Sequence, residues 1–175
     1  LLAVPALATG GNEISPLDFA TSGATLSTQG VRHDAYYIER IEGPDGEIVY
    51  QHQDPGTQAV PTEVALTAIN TLKGVIKNGT VESSSKKFHG TRPAAGKTGT
   101  YENNTNATFE GFTTQLSAAV WLGNPLASGT DGMRNIPEFR AVGVSNVHGG
   151  NLPYRIWEEF IAKASEAKAY PEEDW

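Results

Sequence analysis

The residues with the clearest chemical potential lie in one short segment, Lys97-Thr98-Gly99-Thr100. The segment is predicted to be a β-strand, in which alternation places Lys97 and Gly99 on one face and Thr98 and Thr100 on the other. Glycine lets a substrate approach the main chain closely, and an edge strand can bind an extended peptide by strand addition. The cation and the two hydroxyl groups suit a substrate that carries a carboxylate.

One reaction that such a strand can serve is acyl transfer to a serine. This reaction needs a nucleophile with a neighbouring base, for which Ser-x-x-Lys on a buried helix is one arrangement. Ser83-Ser84-Ser85-Lys86-Lys87 satisfies this spacing twice. The surrounding sequence is polar and has no helical pattern, so we predict that these serines are not catalytic.

A phosphate-binding loop is the competing interpretation of Gly96-Lys97-Thr98. That motif needs a glycine five positions before Gly96 and a helix after the lysine. Position 91 is threonine, Gly90 is one residue out of register, and no helical pattern follows. A nucleotide site is therefore not predicted.

Composition narrows the remaining classes. The chain has 175 residues and a net charge of −7, which argues against nucleic-acid binding because phosphate recognition needs clustered Lys and Arg. It has no cysteine, which excludes disulfides and thiolate metal sites. No cofactor is expected. No metal is predicted either, because four histidines lack ligand-like spacing and are expected at the surface: His33, His52, His89 and His148.

The first half of the sequence predicts two helices separated by a hairpin. Ser15-Pro16 is a helix-start signal, and the helix is predicted over about 16–28. Two β-prone runs, 36–41 and 47–50, flank a turn-rich break and predict the hairpin. A second helix is predicted to begin near Pro61-Thr62 and to end at Asn78-Gly79. The apolar start, residues 1–7, is expected to be buried core.

The second half predicts an antiparallel meander and a final helix. Strands are expected over 94–101, 108–114 and 116–123. The last helix is predicted over about 153–167, with an inward face and Glu158 outside. The acidic tail, 170–175, is expected to fray. Residues expected inside are Trp121 on the strands and Ile156, Trp157, Phe160, Ile161 and Ala164 on the helix.

Six stretches carry a resemblance to a known family: Glu13 to Ala20, Val75 to Thr80, Ala94 to Thr100, Phe109 to Thr113, Ala119 to Gly123 and Gly149 to Trp157. In these stretches, and in their order along nearly the whole chain, the sequence resembles the class A, bifunctional penicillin-binding proteins. It departs from that family at two places: Asn106 to Phe109 replaces a stretch that usually holds an acidic residue and a tryptophan, and Thr114 replaces a common proline.

This resemblance implies roles for the strand. Lys97 is expected to orient substrate and balance charge beside a serine nucleophile, and the hydroxyl groups of Thr98 and Thr100 to hold a substrate or β-lactam carboxylate. The backbone N–H of Thr100 is expected to contribute to an oxyanion hole. Gly99 completes the substrate-binding strand.

The implied fold is an α/β (α+β) sandwich in which helices flank an antiparallel sheet. Residues 1–175 are expected to be the C-terminal portion of one transpeptidase domain, divided into 1–92 (helix, hairpin, helix and connector), 93–123 (active-site strand and following strands), 124–148 (loop) and 149–168 (C-terminal helix).

The implied parent enzyme is a serine-type D,D-transpeptidase that cross-links peptidoglycan stem peptides and binds β-lactams. It is expected at the extracytoplasmic face of the bacterial cell membrane. The resemblance implies that the nucleophilic serine is not in this chain but in the N-terminal part of the same domain, which carries Ser-x-x-Lys and Ser-x-Asn. That part is expected as the partner of this chain, which alone should be inactive. The alternative is a non-catalytic peptidoglycan- or partner-binding module with the same fold.

Overall fold

The part of the chain that the structure describes is an α+β arrangement of three helices and small antiparallel sheets. A computed structural model describes residues 3–81, 92–101, 104–124 and 146–175. The helices are α1 (Pro16–Ser27), α2 (Thr62–Lys77) and α3 (Leu152–Ala167), with a 3₁₀ turn at Pro5–Thr9. The strands are β1 (Val31–Arg32), β2 (Arg40–Glu42), β3 (Ile48–Gln51), β4 (Thr57–Gln58), β5 (Ala95–Thr100), β6 (Asn106–Phe112) and β7 (Ser117–Gly123).

Local signals fix the helix ends where the sequence predicts them. The Ser15 side chain accepts a hydrogen bond from the Asp18 N–H at 3.1 Å, and Pro16 occupies the first helical position. α2 ends at Lys77, followed by Asn78, whose N–H donates to the Gly74 carbonyl. The predicted hairpin forms from β2 and β3, and a further short pair, β1 with β4, was not predicted.

β5, β6 and β7 form the central antiparallel sheet in that order. Trp157 of α3 covers one face, where its indole Nε1 donates to the Gly111 carbonyl at 2.9 Å. The neighbouring residue in β6, Glu110, points to the opposite face and packs on Gly23 of α1. Helices therefore flank the sheet on both faces, which confirms the predicted fold class.

The core has an aromatic centre beneath α3. Phe109, Tyr154 and Trp157 are fully buried, and both the Phe109–Tyr154 and the Phe109–Trp157 rings meet edge to face. On the other face, Ala95 and Phe112 pack against Ile69 of α2. These contacts hold β5 between two helical layers. No helix among the described residues is long and apolar enough to cross a membrane.

Several burial predictions are wrong at the edges of the molecule. Val4 and Leu7 are exposed, so the start of the chain is not core, and Trp121 lies on the outer surface of β7 with 46% of its area exposed. In α3, Ile156 and Phe160 are exposed. Glu158, expected outside, is buried because the Tyr154 hydroxyl donates to its carboxylate at 3.2 Å.

The acidic tail is packed rather than frayed. The Trp175 indole Nε1 donates to the Ser27 carbonyl at 2.9 Å, and its ring meets Phe112 edge to face. Asp174 pairs with Lys73 of α2, which holds the pKa of that carboxyl below its usual range. Side-chain contacts with α1, α2 and the sheet therefore anchor this segment.

Candidate active site

β5 presents one edge that no described strand covers. Tyr101 N–H donates to the Asn106 carbonyl at 3.0 Å, which sets the hydrogen-bonding phase of the β5–β6 ladder. Because antiparallel partners alternate, the main chain of Gly99 points toward β6. The N–H and C=O groups of Thr98 and Thr100 point the other way, to the open edge. These are the groups that strand addition would use.

Lys97 places its charge at this open edge. Its side chain is exposed, and Nζ donates to the carbonyl oxygen of Thr98 at 2.8 Å. Lys97 lies opposite Glu110 in the ladder, whereas Thr98 lies opposite Phe109, so the two side chains leave opposite faces of the strand as alternation predicts. Although the Lys97 side chain leaves from one face of the strand, its ammonium group folds over to the main chain at the open edge.

Both threonine hydroxyls of the strand have a partner within the chain. Thr98 Oγ1 lies 2.9 Å from Thr80 Oγ1, just beyond the end of α2. Thr100 Oγ1 accepts a hydrogen bond from the Gly149 N–H at 3.1 Å, in the turn before α3. The strand hydroxyls are thus tied to two segments that are distant in sequence.

The Gly149-Gly150 turn is wedged between the strand and Thr80. A Cβ atom on Gly149 would overlap the Thr108 carbonyl and lie 2.7 Å from the main-chain N and O of Gly99. A Cβ atom on Gly150 would overlap the Thr80 carbonyl. Both glycines are required because main chain, which cannot move aside easily, occupies the space that a side chain would need.

Two asparagine amides hold this turn. Asn151, which is buried, accepts from the N–H groups of His148 at 2.9 Å and Leu152 at 2.6 Å, and donates to the Asn146 carbonyl at 2.7 Å. Asn104 donates to the Val147 carbonyl at 2.7 Å. The Gly149 N–H therefore reaches Thr100 from a turn that is fixed on both sides.

The four predicted residues, Lys97 to Thr100, lie together on one strand, but sequence reasoning missed the residues behind them. Thr80 follows the Asn78-Gly79 helix end, and Gly149-Gly150 precedes the last helix. In the sequence, Asn78-Gly79 predicts only a helix end, and Gly149-Gly150 falls in the segment assigned to the C-terminal helix. Ser83 to Lys87, the candidate nucleophile segment, lies outside the described residues.

Ser165 to Lys168 also has the Ser-x-x-Lys spacing. Ser165 lies near the C-terminal end of α3 and is buried, and Lys168 caps that helix. The turn that reaches the active strand is at the other end of α3, about 20 Å away at 1.5 Å per residue. This serine is too distant to serve the strand.

Glu110 and the His33–Asp54 pair are titratable groups that lie outside β5. Burial beneath α1 raises the pKa of Glu110 to about 8. His33 pairs with Asp54 in the first half of the chain. Within the described ranges, no cluster of three His, Cys, Asp or Glu side chains could hold a metal ion. The edge of β5 is thus the best-equipped place for a reaction.

Curated relatives cover most of the chain. Penicillin-binding protein 1A of Mycolicibacterium smegmatis is 29% identical over 157 residues, covering 86% of this chain and 18% of that protein. Penicillin-binding protein 1B of Haemophilus influenzae is 32% identical over 120 residues, covering 69% and 15%. The chain thus spans less than a fifth of either relative. No family model matches the sequence.

Solved structures share the fold. The penicillin-binding protein PonA1 from Mycobacterium tuberculosis superposes with a TM-score of 0.76 at 24% identity, covering 97% of this chain and 43% of that one. The same protein in complex with penicillin V gives a TM-score of 0.69 at 23% identity, with the same coverage. At this identity, the likeness concerns the fold alone.

Proposed function

Since this chain belongs to the class A penicillin-binding protein family, we propose that it forms the substrate-binding wall of a peptidoglycan D,D-transpeptidase. In this proposal a longer protein, called the parent protein below, cross-links stem peptides through an acyl-serine intermediate and is acylated by β-lactams. The chain contributes the Lys97-Thr98-Gly99-Thr100 strand. The serine comes from outside these 175 residues.

The observation that carries the proposal is the open edge of β5. Its outward N–H and C=O groups at Thr98 and Thr100 can pair with an extended peptide, because the register leaves them unused by β6. The Lys97 ammonium lies at the same edge, 2.8 Å from the Thr98 carbonyl. A peptide that ends in a carboxylate would meet main-chain partners, a cation and hydroxyl groups together.

Each group has a distinct role in acyl transfer. The serine gives its proton to the neighbouring base as its oxygen attacks the substrate carbonyl, whose oxygen becomes an oxyanion as the new C–O bond forms. When the oxyanion collapses, the C–N bond breaks and the amine of the terminal residue leaves with that proton; in a β-lactam the broken bond is the ring amide, and the amine stays attached. The Thr100 N–H donates to that oxyanion and another donor completes the hole; such a donor is worth about 2.7–4 kcal/mol of transition-state stabilisation. The hydroxyls of Thr98 and Thr100 hold the carboxylate, and Lys97 balances its charge.

The remaining partners follow from this chemistry. A second stem peptide supplies the amine that attacks the acyl-serine and releases the serine. A segment with Ser-x-x-Lys and Ser-x-Asn from the same domain supplies the nucleophile and its base. Because the substrate is cell-wall peptide, the reaction takes place at the extracytoplasmic face of the membrane.

Covalent labelling of the parent protein with a fluorescent penicillin tests the proposal. The wild type should be labelled, and Lys97→Ala should slow labelling by at least about tenfold, since hydrogen bonds to charged groups contribute about 1.5–3 kcal/mol. Lys163→Ala is the matched control, because Lys163 pairs with Glu159 on the outer surface of α3. An unlabelled parent protein would favour the non-catalytic binding module, and undiminished labelling of Lys97→Ala would exclude the role of that lysine.

A further inference from the structure

Each of the two threonine hydroxyl groups of β5 is hydrogen-bonded to a group from another part of the chain, which we call its backing group. Thr80 Oγ1 lies 2.9 Å from Thr98 Oγ1, and either oxygen can be the donor. Gly149 N–H donates to Thr100 Oγ1 at 3.1 Å. A threonine hydroxyl has one hydrogen to give and can accept from another donor at the same time. Thr100 therefore keeps its own hydrogen for a second partner.

An anion bound at the edge of β5 would require Thr98, like Thr100, to donate its own hydroxyl hydrogen to that anion. A carboxylate only accepts, so Thr98 must donate its hydrogen to bind one. Thr80 can then keep its contact with Thr98 only by donating to it. A hydroxyl that receives a hydrogen bond becomes a better donor, because successive hydrogen bonds polarise one another.

Thr80 is held firmly enough for this role. The preceding α2 ends at Lys77, and the next residue, Val81, is buried in the core with Ile76 and Phe109. On its other side, the Thr80 carbonyl packs against Gly150. The same turn thus fixes both backing groups, the Thr80 side chain and the Gly149 N–H.

We infer that Thr80 is a positioning residue, which with the Gly149 N–H orients the hydroxyls of Thr98 and Thr100 as a pair of donors toward a substrate carboxylate. This inference rests on the proposed function, because it assigns the carboxylate to the same edge of β5. Thr80 does not itself touch the substrate.

The test uses the parent protein and a matched pair of penicillins, one with a free carboxylate and one with that carboxylate as a methyl ester. Thr80→Val should lower the acylation rate of the acid by about three- to tenfold, the range for one hydrogen bond, and leave the ester rate nearly unchanged. Thr80→Ser should restore the rate. In a Thr98→Val background, Thr80→Val should have no further effect.

Controls separate positioning from damage to the fold. Thr71→Val removes an exposed threonine hydroxyl of α2, which donates to the Thr67 carbonyl of the same helix. This substitution should not change the rate with either penicillin. Thr80→Ala replaces the valine variant if that variant does not fold. Equal losses with acid and ester, no loss with the acid, or an undiminished effect in the Thr98→Val background would each overturn the inference. An unlabelled wild type would instead refute the proposed function, and the inference with it.

Discussion

The carboxyl group of Glu110 occupies the space that a side chain at position 23 would need. A Cβ atom on Gly23 would overlap Glu110 Oε1 and lie 2.7 Å from Ser117 Oγ. Gly23 is the buried residue of α1, and Glu110 is 3% exposed. The approach of α1 to the sheet thus depends on a glycine in the helix and an acidic residue in the strand beneath it.

Gly23→Ala is expected to destabilise the parent protein by about 2–4 kcal/mol, because the methyl group must displace a buried side chain. Gly74→Ala is the matched control. Gly74 also lies within a helix, but a Cβ atom there would meet nothing within 4 Å, so alanine should stabilise by about 0.5–1 kcal/mol. Chemical unfolding measures both, and equal effects of the two substitutions would contradict the packing described.

Glu110 should make stability fall as the pH rises. Burial raises its pKa from 4.5 to about 8, and Oε1 has no hydrogen-bond partner among the described residues. Between these pH values the unfolded chain releases a proton that the folded chain retains, so the free energy of unfolding decreases, by roughly 3–5 kcal/mol in total. Below pH 4.5 the contribution is fully present.

Glu110→Gln removes this titration while keeping the size of the side chain. Urea unfolding at pH 5 and pH 8 should show a smaller difference for the variant than for the wild type. Every other titratable group is the same in the two proteins, so the comparison isolates Glu110. Parallel pH profiles of the two proteins would show that the folded carboxyl ionises at its ordinary pKa.

Gly150→Ala should damage the active site more than the fold. The new methyl group overlaps the Thr80 carbonyl, so the turn must move and carry the Gly149 N–H away from Thr100. We expect penicillin acylation to fall at least about tenfold, with a loss of stability of about 1–3 kcal/mol. Labelling rates and unfolding midpoints are measured on the same samples. Wild-type labelling would mean that the turn does not support the strand.

Trp175→Ala should destabilise the protein by about 2 kcal/mol, since its half-buried ring contacts Phe112 and its indole nitrogen donates to Ser27. Glu172→Ala, an exposed substitution in the same segment, should have no measurable effect. Thermal unfolding distinguishes the two. If both variants behave like the wild type, the tail does not contribute to stability.

Local patterns predicted most of the regular structure. α2 and the β2–β3 hairpin carry their own signals, an apolar stripe for the helix and a turn-rich break for the hairpin, and both were confirmed. The six-residue strand β5 was also predicted, as part of the strand expected over 94–101. The alternation of its faces followed from strand geometry, whereas its position at one edge of the sheet is visible only in the structure.

Two kinds of error remain: contacts between distant parts of the chain, and the burial of single residues within one element. An acidic tail ordinarily frays, but here Asp174 forms an ion pair with Lys73 of α2, and the Trp175 ring packs edge to face against Phe112. Glu158 lies on the polar face of its helix by pattern, yet the Tyr154 hydroxyl allows it to be buried. The hydrogen bond between Thr80 and Thr98 also joins distant parts of the chain, and nothing near either residue in the sequence predicts it.

The Gly149-Gly150 turn also sets an order of events during synthesis. A chain emerging from the ribosome presents Thr80 first, then Lys97 to Thr100, and the turn that secures both only later. Contacts of such long sequence separation form late, because a large loop must close before they are gained. The growing chain therefore carries this strand without the Gly149 hydrogen bond to Thr100 until the last helix is made.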